Sequence, residues 1–127
     1  MQDRHTFKFA IVRIVPKVER EEFFNVGVIL FCKRTKFLDI KYHIDKAKLI
    51  AFTPEIEYEI MNEYLKAWKL ICEGNAEGGP IGKLDLSDRF GWLTACRSTV
   101  IQSSTTRSGI STNPEKELED IFNKYVL

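Results

Sequence analysis

Apolar residues run along both faces of the segment 6–15. Phe7, Phe9, Ile11 and Val15 share one side with Arg13, and Ala10, Val12 and Ile14 share the other. Side chains alternate along a strand, so two apolar faces predict a strand in the middle of a sheet, covered on both sides. Pro16, which has no N–H to donate, ends it. After a charged connector at 17–24, residues 25–32 read as a second strand, with Gly27 marking a bulge or the close approach of another backbone. A polar turn at 33–36 leads to a third strand at 37–44. There Leu38, Ile40, Tyr42 and Ile44 point one way, and Asp39, Lys41 and His43 the other. Such alternation with a short turn predicts an antiparallel hairpin.

The period then changes. Residues 46–52 suggest a helical turn. Thr53-Pro54-Glu55 reads as the start of a helix that ends near Cys72 or Glu73, with Gly74 beyond it. Its expected core stripe is Ile56, Ile60, Tyr64, Ala67, Trp68 and Ile71. The Gly-rich stretch 74–82 reads as a flexible linker within the domain. It lacks the Lys-Ser/Thr ending and the preceding buried strand of a phosphate loop. Asp85 or Ser87 caps a short helix to about Ala95, and 97–106 reads as a fourth strand of mixed polarity. Asn113-Pro114 opens a closing helix through Tyr125, with Leu118, Ile121, Phe122 and Tyr125 as its buried stripe. The fold class is α+β: one domain over residues 1–127, an antiparallel or mixed sheet of about four strands with helices packed on it.

Composition narrows the function classes. A chain of 127 residues with 44% hydrophobic content and nine Phe is large enough for a core without disulfides or metals. The formal net charge of +1 shows no basic excess, which disfavours nucleic acid as a partner. The cluster Lys33, Arg34 and Lys36 reads as a solvated hairpin tip. Cys32, Cys72 and Cys96 are widely spaced in apolar contexts and form no C-x-x-C pair, so buried reduced thiols are expected. With His5 and His43 the only histidines, no metal and no cofactor is expected. No signal peptide or membrane span is visible, and a soluble, cytoplasmic protein is expected.

No catalytic motif is present, which inclines the reading away from an enzyme. The residues with chemical potential are few. Arg13 is a charge on an otherwise apolar strand face, suited either to a salt bridge with Glu19 or Glu22 or to an anion. Asn25 stands beside Gly27, where its amide can bind backbone or ligand. The segment from Arg97 to Arg107 carries Gln102 and Ser104 between two arginines, a row fit for a phosphate or a peptide edge, or for an ordinary polar strand edge. A phosphate-bearing or nucleotide ligand would require Arg13, Asn25, Arg97, Gln102, Ser104 and Arg107 to converge.

Residues 10–16, 18–32, 99–104 and 114–126 together resemble the bacterial domain-of-unknown-function family numbered 3037. The block Glu19-Arg20-x-Glu22-x-x-Asn25-Val26-Gly27-Val28 is the most specific part. That resemblance implies a companion of a HipA-like kinase, hence a regulatory partner in a toxin–antitoxin-like or stress system. The resulting expectation is a non-enzymatic interaction module with a protein partner, a homo-oligomer remaining open.

Overall fold

The computed structural model describes residues 4–16, 22–74, 76–95 and 99–127. Strand β1 (His5–Ile14) lies between β2 (Phe24–Cys32) on one edge and, on the other, β4 (Ile101–Ser103) and β5 (Arg107–Ser111). β3 (Phe37–Tyr42) pairs with β2 outside it, and every pairing is antiparallel. The double-faced apolar pattern of β1 has its cause in this position. Ala10, Val12 and Ile14 enter one core with Met61, Leu65 and Trp68, while Phe7 and Ile11 enter a second with Leu118 and Phe122.

Helices cover the two faces unequally. On the first face lie α1 (Lys46–Phe52), α2 (Tyr58–Glu73) and α4 (Leu86–Thr94), with the short α3 (Gly79–Gly82) beside them. α5 (Pro114–Tyr125) packs on the second face over β2 and β3. There Lys41 Nζ meets Glu119 at 3.0 Å, whereas Asp39 of the same polar side pairs with Lys69 of α2. Asn113 caps α5 by accepting the Lys116 N–H, with Pro114 in its first turn as the sequence predicts.

A bulge in β2 reverses which residues face which core. Val12 pairs with Gly27 but Arg13 pairs with Asn25, so Val26 is an extra residue. Phe24 and Val26 therefore point into the first core, whereas Val28, Leu30 and Cys32 point into the second. Gly27 is also where β3 comes closest. A Cβ there would lie 2.9 Å from the carbonyl oxygen of Lys41 and 3.0 Å from Cβ of Tyr42.

The structure corrects three expectations. The strand expected at 97–106 is two strands, β4 and β5, joined by an irregular step, and the described sheet has five strands. At the step Ser104 substitutes for regular pairing: its N–H donates to Ile11 O at 2.8 Å, and its Oγ accepts the Ile11 N–H at 2.9 Å. The register then slips by one residue before Phe9 meets Arg107. Second, α2 begins at Tyr58, because Thr53 closes α1 by donating its N–H to Leu49 O. The helix docks about one residue round from the expected stripe: Met61, Leu65, Trp68, Ile71 and Cys72 are buried, while Ile60 and Tyr64 are 50% and 56% exposed. Third, the Gly-rich stretch is not a linker. After Gly74, whose φ of 72° closes α2 in the left-handed region, a 3-10 turn (Ala76–Gly78) and α3 follow. Arg89 of α4 secures the end of α2 by donating from Nη1 to the carbonyls of Ile71 and Cys72, both at 2.9 Å.

Two substitutions test this framework. Gly27→Ala forces the backbones of β2 and β3 apart and is expected to lower stability by about 1–3 kcal/mol. The readout is a lower urea midpoint with an unchanged slope. Ser104→Ala leaves the Ile11 N–H without its acceptor and is expected to cost about 1–3 kcal/mol in the same assay.

Candidate functional site

The register decides where the polar candidates fall. Arg13 stands between Asn25 on β2 and Gln102 on β4. Ser104 lies against Ile11, and Arg107 pairs with Phe9. Because directly paired residues share a face, and 9, 11 and 13 share a face along β1, these five candidates belong to one side of the sheet. It is the side on which α5 packs, and three of the five, Gln102, Ser104 and Arg107, lie along the edge of β1 remote from β3. Arg97 lies outside the described residues, as does Cys96.

Convergence is not the same as availability. Asn25 Nδ2 donates to the carbonyl of Tyr125 at 3.1 Å, tying the start of β2 to the end of α5. Gln102 Nε2 donates to Thr99 O at 2.7 Å, and Ser104 Oγ, besides accepting from Ile11, donates to Thr105 O at 3.0 Å. These three polar groups hold the chain to itself. The arginines differ. The Arg13 guanidinium stacks on the ring of Phe23, 4.0 Å from its centroid, and its Nε is buried without a hydrogen-bond partner. Burial, and secondarily the charge of Arg107, lower its pKa. Of the carboxylates expected to pair with it, Glu19 lies outside the described residues.

The two described thiols are buried: Cys32 is 0% and Cys72 5% exposed. Burial, with Asp39 as the next cause, pushes the Cys72 thiol up to about 12, which keeps it protonated and unreactive at neutral pH. Among the described residues no three His, Cys, Asp or Glu side chains are grouped to hold a metal ion. No helix of the described residues is long and apolar enough to cross a membrane.

On the opposite face the structure shows a surface that the sequence reading passed over. A groove of about 620 Å³ opens between α2, α4 and the start of β4. Its walls are Ile60, Tyr64, Ala67 and Trp68 of α2, Trp92 of α4, and Val100. Trp92 is 39% exposed, and with Ile60 and Tyr64 it makes an apolar patch on the surface. Glu59 and Glu63 stand beside Ile60 and Tyr64 on the outer flank of α2. The signal was present in the sequence. α2 carries two neighbouring apolar columns, Ile60-Tyr64-Ala67-Ile71 and Met61-Leu65-Trp68-Cys72, and packing on one sheet buries only the second in full.

No curated protein and no solved structure matches this chain. A family model does match, that of the protein of unknown function (DUF3037), over residues 9–126. That span takes in β1, the bulged β2, the broken strand and α5, so the chain belongs to the DUF3037 family.

Proposed function

We propose that this protein is an interaction module that receives an amphipathic helix of a partner protein in the groove between α2 and α4. The observation that carries the proposal is the groove itself: Ile60, Tyr64 and Trp92 are large apolar side chains left exposed around one concavity. Transferring such side chains from water contributes about 1.5–3 kcal/mol each when fully buried, enough for a few anchors to hold a helix. The carboxylates of Glu59 and Glu63 favour a partner helix with Lys or Arg beside its apolar stripe.

A helix suits the site better than an added strand. Thr99 Oγ1 donates to Ile101 O at 2.6 Å, so the outer edge of β4 is already engaged by its own chain. β4 is also only three residues long, a short template for pairing. The resemblance to companions of HipA-like kinases makes a kinase of that type the first partner to test.

The expected outcome is a fixed-ratio complex of the full chain with one partner, measured by light scattering and rebuilt from the two purified proteins. Tyr64→Asp and Ile60→Asp change exposed positions and should abolish the complex while leaving the urea midpoint within about 0.5 kcal/mol of the parent. A complex that survives both substitutions contradicts the proposal. So does a homo-oligomer that dissociates on Tyr64→Asp, which would make a second copy the occupant.

A further inference from the structure

The sequence separates Arg4 and Lys8 from Lys33 and Arg34 by a whole hairpin arm, and the fold removes that separation. Lys8 pairs with Phe31, so the beginning of β1 runs alongside the turn at 33–36. The result is a pocket of about 410 Å³ at one end of the sheet, lined by Arg4, Lys8, Lys33 and Arg34 together with His5 and Ser87. Phe31, stacked on Phe90 with ring centroids 5.2 Å apart, gives it one apolar wall.

Three properties distinguish this pocket from a solvated charge run. Among the described residues no carboxylate contributes to its lining. Among the described residues none of the four cations is ion-paired, whereas Lys41, Lys69 and Lys116 each hold an acid. Finally, Nδ1 of His5 is buried without a hydrogen-bond partner. A polar atom in that state lacks the compensation that buried groups normally find. Ser87 adds a hydroxyl from the first turn of α4, whose N-terminal end is already capped by Asp85. A chain with a net charge of only +1 has thus collected four cations, unpaired among the described residues, around one concavity.

We infer that this pocket binds a small phosphate-bearing ligand, with the two arginines and two lysines on the phosphate oxygens and Phe31 against the remainder. Guanidinium groups fork onto phosphate and ammonium groups act as point charges, so the set suits a phosphomonoester or diphosphate. The volume is that of a small-molecule site. A nucleic-acid track is a poorer fit, because the cations close around one pocket and do not extend along a face. The site is separate from the α2–α4 groove and does not depend on the partner reading.

The test is a titration of the full chain with inorganic pyrophosphate, followed by amide NMR shifts and by calorimetry. Saturable shifts centred on residues 4–8, 33–34 and 87 are expected. The double variant Lys33→Gln/Arg34→Gln should weaken binding by about tenfold or more. Lys66→Gln/Lys124→Gln, which removes the same charge outside the pocket, should leave it unchanged. The inference is overturned if pyrophosphate gives no saturable change, or if both double variants weaken binding equally. It is also overturned if a single-stranded oligonucleotide binds at this end and pyrophosphate does not displace it.

Discussion

β1 is held on both edges and covered on both faces, and the rest of the structure is arranged to make that possible. A strand so placed has no water to satisfy its backbone, so every N–H and C=O must find a partner within the protein. One edge is supplied by β2. The other is supplied by two short strands and a serine, and the serine stands where the pairing would otherwise lapse. Ala10, Val12 and Ile14 are fully buried at 0% exposure, so an unpaired amide in their midst would incur its whole desolvation cost.

The two irregularities in the sheet follow from the same constraint. The extra residue at Val26 reverses the alternation of β2, so Phe24 and Val26 join Ile29 and Phe31 in the first core while Val28, Leu30 and Cys32 face the second. It also places Asn25 beside Arg13, within reach of the end of α5. The register slip after Ser104 carries the chain from β4 to β5 and brings Arg107 to Phe9 on that face. Three polar residues that look like a ligand row in the sequence bond the chain to itself: Ser104 to β1, Gln102 to Thr99 and Asn25 to the end of α5.

Much of this was legible. The two-faced pattern of β1 predicts a central strand, the 33–36 turn predicts the hairpin, and Asn113-Pro114 marks the start of α5, because each depends on local residue chemistry. Gly27 signals a bulge or a close approach; the close approach of β3 is at Gly27 itself, and the bulge is at its neighbour Val26. What local pattern could not convey was how elements dock. The face that α2 buries depends on its rotation against the sheet, which no local pattern encodes. The split of the fourth strand depends on a side-chain hydroxyl meeting a backbone 93 residues away. The basic pocket is absent from any local window because Arg4 and Arg34 meet only through strand pairing.

The molecule therefore separates its surfaces. An apolar groove lies on the α2 face, a polar sheet face lies beside α5, and a cationic pocket lies at the hairpin end, all referred to the one strand. The measurement that tests this account most directly is residue-resolved amide hydrogen exchange of the full chain over a range of low urea concentrations. If β1 is bonded on both edges, the Ile11 amide exchanges only through global unfolding, with the same free energy and urea dependence as those of Ala10 and Val12. If Ile11 exchanges through a small, urea-independent opening while its neighbours remain protected, the second edge is open and the central claim is wrong.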